Sequence, residues 1–169
     1  MTNDTRHSKN ISRAHAVMDT LRKIKHQGQK LEYLRKIDPY VFEELVLNAL
    51  EGAGYRVQRS PRYSGDGGID GTLSSSAGTI FIQSKRYRGH INAGHVKEFA
   101  ALCSANDVYG FFVHTGKTGG MSKSSKSKRV DIISGSRLLK LVTRSKLTPR
   151  LTLGYKLKCL FSPLTPNKR

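Results

Sequence analysis

Apolar positions along this 169-residue chain change their period several times, and each change marks an element. Residues 11–36 are spaced as helix. Val17, Leu21 and Ile24 recur at i, i+4 and i+7, and Leu31 and Leu34 resume after a break expected at Gly28. Arg22, Lys23, Lys25, Lys30, Arg35 and Lys36 take the opposite side. A better punctuated helix follows. Asp38 suits its N-cap and Pro39 its first turn, Val41, Phe42, Leu45, Val46, Ala49 and Leu50 form its inner stripe, and Gly52 or Gly54 ends it. In this helix Glu44, Asn48 and Glu51 share what the pattern presents as the outer polar face. Glu43 falls instead with Val46, Leu47 and Leu50, where a carboxylate is costly unless something satisfies it.

From residue 55 the period shortens to two. Strands are predicted at 55–60, 68–73 and 79–85, the last two joined by a turn through "SSSAG". A helix over Val96–Ala105, a buried strand over 108–115, a strand over 130–134 and a short helix over 136–143 follow, and Leu151–Leu153 can add an edge strand. Helix first, then hairpin-like strands, then strands alternating with helices predicts an α/β fold with a mixed central sheet. The expected organisation is an N-terminal helical arm (1–37), a core (38–143) and a C-terminal extension (144–169).

Charge changes the picture. The formal net charge is +18, and it is unevenly spread. Residues 1–40 hold nine Lys or Arg against four acids, residues 41–116 seven against seven, and residues 117–169 fourteen against one. A neutral middle between basic flanks points to a polyanion, because basic groups on a phosphate backbone release counterions. DNA is the expected partner. No apolar run approaches the roughly 20 residues of a membrane span, and the N-terminus lacks a signal peptide's apolar segment, so no membrane partner and a cytoplasmic location are expected. Cys103 and Cys159 lie far apart, and none of the six histidines pairs with a cysteine at zinc spacing.

The candidate chemistry lies in the neutral middle. "SGDGGIDGTLSSSAGTIFIQSKRY" (64–87) sets Asp66 and Asp70 among glycines and ends its apolar run in Gln83-Ser84-Lys85. Alternation puts Gln83 and Lys85 on one face of their strand and Ile80, Ile82 and Ser84 on the other. The turn at 74–78 folds Asp70 back toward Gln83. A hard divalent cation takes oxygen donors of this kind: a carboxylate, an amide or backbone carbonyl, waters and a substrate phosphate. Asp70 and Gln83 supply the first two. Glu43 can hold a water of the cation's shell, and Lys85 can orient attacking water or neutralise charge building on phosphorus, which is the division of labour phosphodiester hydrolysis requires.

"FEELV" (42–46), "SGDGGIDG" (64–71), "IQSKRY" (82–87) and "VHTGKTGG" (113–120), in that order, resemble the successive motifs of the Mrr-like restriction endonuclease catalytic domain. That domain belongs to the PD-(D/E)xK nuclease superfamily, in the branch with glutamine at the second acidic position. The resemblance covers residues 38–142. It implies a three-layer α/β/α restriction-endonuclease-like fold and Mg²⁺-dependent DNA cleavage, with Mn²⁺ as substitute. It also implies a site of Glu43, Asp70, Gln83 and Lys85, with Asp70, Gln83 and Ser84 on the metal and Asp66 shaping the glycine loop. The residues expected at the nucleic acid are Asp66, Arg86, Lys117, Lys123, Lys126, Lys128 and Arg129. Only about 37 residues precede the core, too few for the DNA-recognition domain that such restriction enzymes carry. Target selection then falls to the basic flanks, a second copy of the chain or a specificity partner. A prokaryotic or mobile-element nuclease or nickase is the leading expectation. A relaxase- or resolvase-type enzyme on the same core, and a DNA-binding protein without turnover, are the alternatives.

Other signals weigh less. "HTGKTGG" fails as a Walker loop, because Phe111 stands where the first glycine belongs. His90 and His95 follow the Gln-x-Lys strand but read first as surface histidines, and Tyr63 and Tyr87 read first as packing residues.

Overall fold

The computed structural model describes residues 3–60, 68–75, 78–120 and 129–143. These form helices α1 (Asn3–Lys23), α2 (Gln27–Leu34), α3 (Pro39–Gly52), α4 (Ala93–Ala105) and α5 (Gly135–Thr143), and strands β1 (Arg56–Arg59), β2 (Gly71–Ser75), β3 (Gly78–Lys85), β4 (Tyr109–His114) and β5 (Val130–Ile133). The strands lie in the order β1-β2-β3-β4-β5. The first three are antiparallel neighbours, and β3, β4 and β5 run parallel, so the sheet is mixed as the element order predicts. The β3-α4-β4 passage is the crossover that parallel strands need. Asp66, Tyr63, Lys123, Lys126, Lys128, Cys159 and the expected strand at Leu151–Leu153 lie outside the described residues.

Strand alternation sorts the core into two layers. Leu73, Ile80, Ile82, Phe111, Val113 and Ile133 meet the apolar stripes of α1, α3 and α5 on one face. Phe112 and Val130 meet Val96, Phe99, Ala100 and Cys103 of α4 on the other. The result is helices, sheet and helix in three layers. Each fully buried Leu or Phe contributes about 1.5–3 kcal/mol by leaving water. Cys103 is free and buried, and burial pushes its thiol up to about 11, the inert behaviour of a packing cysteine. α3 begins as expected: the Asp38 carboxylate accepts from the backbone N–H groups of Tyr40 (2.9 Å) and Val41 (3.3 Å), with Pro39 in the first turn.

Two helical expectations are corrected. The first helix begins at Asn3, eight residues before the expected start, and the break falls at 24–26 with Gly28 inside α2. Glycine weakens a helix interior by about 1 kcal/mol relative to alanine, which packing elsewhere overrides. Glu44 and Asn48 are not on an outer face. They are 1% and 5% exposed, because α1 packs along that side of α3. Ala14, Val17, Met18 and Leu21 of α1 join the same apolar cluster as α3, which makes the arm part of the core layer.

Candidate active site

The site forms where β2 begins and β3 ends. Asp70 is held from both sides by its backbone: its N–H donates to the Ile82 carbonyl (2.9 Å), and its own carbonyl accepts from Ser60 N–H (2.9 Å). Gly71 pairs with Ile82, so Asp70 comes beside Gln83 as the turn predicts. The Asp70 carboxylate then accepts the Ser84 N–H at 2.5 Å, which fixes it against the end of β3.

A pocket opens at this point, walled by Glu43, Asp70, Ser84 and Lys85, with His7 and Glu44 beside them. Gln83 takes a different place from the one alternation suggests. Its amide nitrogen donates to the Gly68 carbonyl (2.7 Å), and it is not part of this wall, whereas Ser84 is. Alternation sets how a side chain leaves the sheet. It does not set where a long lysine stem ends, and Lys85, the last residue of β3, reaches the same pocket as Ser84. Gly68 has φ +81°, and a Cβ there would collide with the Gln83 amide nitrogen, so the close approach requires glycine.

Oxygen donors for a hard cation are present. Gln83 is 6% exposed and its Oε1 has no hydrogen-bond partner; Ser84 is 5% exposed and its Oγ has none either. Buried polar atoms are nearly always paired, so two orphaned oxygens flanking a fixed carboxylate fit a cation that accepts carboxylate, amide and hydroxyl oxygen. Among the described residues no three His, Cys, Asp or Glu cluster as a metal site, so the donor set depends on the amide and the hydroxyl.

Sequence reasoning missed the network behind Glu44. Its Oε1 meets His7 Nδ1 (2.9 Å) and its Oε2 accepts from Arg59 Nε (3.0 Å). The Arg59 guanidinium also donates to Asn48 Oδ1 (2.7 Å) and Glu51 Oε2 (2.9 Å), and Asn48 donates to the Ile11 carbonyl (3.3 Å). Burial works against the Arg59 charge, yet Glu51 and Glu44 together raise its pKa above the ordinary value. The only hint in the sequence was a polar helical face with an arginine following.

The expected DNA contacts divide. Lys117 is exposed at the same end of the sheet as Lys85, in a loop tied to 89–91 by Lys117 N–H to Gly89 carbonyl (2.9 Å) and Ile91 N–H to Lys117 carbonyl (3.1 Å). His90 is exposed in that bridge. Arg86 turns inward: its guanidinium donates to the Arg35 carbonyl, while Arg35 Nε donates to the Thr115 carbonyl (3.1 Å), tying α2 to the ends of β3 and β4. Arg129 lies at the opposite end of the sheet, paired with Asp107 at 2.5 Å. Tyr87 hydroxyl meets His95 Nδ1 at 2.6 Å, which occupies both side chains. His114 is buried, with Nδ1 accepting Gly116 N–H (3.1 Å) and Nε2 meeting Thr118 Oγ1 (3.0 Å). Burial lowers its pKa to about 4.

Comparison with known proteins gives two matches. The Mrr_cat family model, described as a restriction endonuclease, matches residues 34–142, more than half of the chain. A protein of Escherichia coli (strain K12), the type IV methyl-directed restriction enzyme EcoKMrr, is 27% identical over 143 residues, covering 74% of this chain and 47% of its own length. The chain therefore spans about half the length of that relative. No solved structure matches the chain.

Proposed function

The chain belongs to the Mrr_cat family of restriction endonucleases, and from that premise we propose that it is a divalent-metal-dependent endodeoxyribonuclease that hydrolyses DNA phosphodiester bonds in the pocket of Glu43, Asp70, Ser84 and Lys85. The observation that carries the reading is the Asp70 carboxylate, pinned on Ser84 N–H, in one pocket with a lysine and a second carboxylate, beside two orphaned buried oxygens. Asp70, Gln83 Oε1 and Ser84 would hold Mg²⁺, or Mn²⁺ in its place. When bound, the cation supplies Lewis acidity at the phosphate and a lowered pKa for the attacking water. Glu43 orients water in the pocket and accepts its hydrogen bond. Lys85 places positive charge where negative charge builds on the phosphoryl oxygens, so its contribution falls on the transition state. The basic flanks supply affinity for the duplex. One pocket cuts one strand, so double-strand cutting calls for a second copy of the chain. A cytoplasmic setting goes with the reading, and among the described residues no helix is long and apolar enough to cross a membrane.

The test is a plasmid-cleavage time course beside an electrophoretic binding titration, each with Mg²⁺, Mn²⁺ or chelator, on methylated and unmethylated supercoiled plasmid. Wild type should nick or linearise DNA only with metal. Asp70→Ala and Lys85→Ala should bind DNA but cut at least about a hundredfold more slowly. If both variants cut like wild type, the nuclease site lies elsewhere. If wild type cuts neither plasmid with any divalent ion, the chain is a DNA-binding protein with this fold and no turnover.

A further inference from the structure

Helix α1 precedes the segment matched by the family, which begins at residue 34, yet its His7 forms part of the wall of the same pocket as Glu43, Asp70 and Lys85. We propose that α1 completes the active site and that His7 contacts the phosphate of the bound DNA strand through the imidazole edge lining the pocket; the proposal rests on the nuclease reading for the identity of the strand. The ring is placed for this by anchors within the protein. Its Nδ1 meets Glu44 Oε1 at 2.9 Å, and a carboxylate can only accept there, so Nδ1 carries the proton. Glu44 is itself fixed, with its side chain 1% exposed and its other oxygen on Arg59 at 3.0 Å. A histidine oriented at one nitrogen by a buried carboxylate, with the remaining edge at a substrate pocket, is the arrangement by which proteins aim an imidazole. Further support comes from charge. Glu43, Glu44 and Asp70 surround the pocket, and a phosphate entering beside three carboxylates needs polar partners besides Lys85.

The competing role is structural: His7 serves only to satisfy Glu44. The substitution His7→Asn separates the two. Asparagine keeps a donor near the position of Nδ1, so Glu44 stays paired, but it lacks the ring edge that lines the pocket. Thermal melts, steady-state cleavage kinetics and NMR of the histidine Cε1–H signals should be recorded on the full chain. The NMR probe is a short duplex with chelator present, so that no cutting occurs, and the His7 signal is identified by its loss in the variant. The expected result is a melting curve like wild type, a tenfold or greater fall in kcat/KM, and a His7 signal that shifts on adding duplex. Wild-type kcat/KM in His7→Asn, or a His7 signal that duplex does not move, overturns the proposal. If wild type cuts no DNA but the His7 signal shifts with duplex, the pocket contact stands and only the nuclease reading falls.

Discussion

Arg59→Met is the most informative perturbation of the fold, because it removes one partner from a buried ionic cluster and leaves the other in place. Glu44 is 1% exposed and depends on Arg59 Nε at 3.0 Å, and Arg59 also satisfies Asn48 Oδ1 at 2.7 Å. The third contact, to Glu51, reaches a carboxylate 52% exposed, and a pair of that kind contributes about 0–1 kcal/mol. Breaking a buried pair from one side costs about 3–5 kcal/mol, since a carboxylate remains out of water without its countercharge. The missing Asn48 bond adds about 1 kcal/mol, and the retained His7 contact offsets about as much. The expected cost stays near 3–5 kcal/mol, or about 6–20 °C in Tm at 2–4 °C per kcal/mol for a domain of this size. The double variant Glu44→Leu/Arg59→Met should recover most of the loss, because a buried pair replaced by apolar groups of similar volume is often neutral. The assay is calorimetry of wild type, both single variants and the double variant at two salt concentrations. Salt should leave the difference unchanged, since a buried pair is weakly screened. A Tm for Arg59→Met within about 2 °C of wild type, or a coupling below about 0.5 kcal/mol in the cycle, would refute the reasoning.

Three further outcomes follow from particular positions. Gly68→Ala should push the Gln83 amide out of place, so cleavage should fall at least tenfold while Tm changes by a few degrees; wild-type cleavage would remove Gln83 from the site. His114 has its pKa lowered by burial to about 4, against about 6.5 when unfolded, so the unfolded chain binds the extra proton first. Stability tied to His114 is fully present above about pH 6.5 and is lost, by roughly 3 kcal/mol, as pH falls to about 4. Urea melts across that window should slope less in His114→Asn, and an equal slope would count against the buried neutral ring. Residues 144–169 carry seven Lys or Arg and no acid. Deleting them should flatten the slope of log K against log salt by about 0.9 for each phosphate they neutralise, and an unchanged slope would show that the segment leaves the DNA backbone untouched.

Much of this architecture is legible because local physics writes it locally. The capping carboxylate of Asp38, the alternation of "TIFIQSK" and the turn that folds Asp70 back each depend on neighbours a few residues away, and each appears where expected. The misreadings share one cause. Glu44 and Asn48 look like an outer face only while α3 is taken alone, and the helix that covers them contributes His7 and Ile11 from 37 residues earlier. Arg86 and Arg129 look like DNA-facing cations in a basic chain, and only the tertiary fold supplies the Arg35 carbonyl and Asp107. Periodicity tells which positions seek apolar company. It cannot tell which polar positions another element will cover.

The same distinction explains the charge distribution. The pocket wall brings Glu43, Glu44 and Asp70 to the place where a phosphodiester must sit, and among its six named residues only Lys85 is always a cation near neutral pH. Metal binding and water activation need those carboxylates, but their field opposes the approach of a polyanion. Affinity therefore has to be generated away from the chemistry. Lys9 and Arg13 stand exposed on α1, which packs beside the pocket-bearing α3, and Lys117 stands at the pocket end of the sheet. Residues 41–116 sum to zero charge while the flanks hold the excess, because the groups that cut and the groups that hold must be kept apart in space.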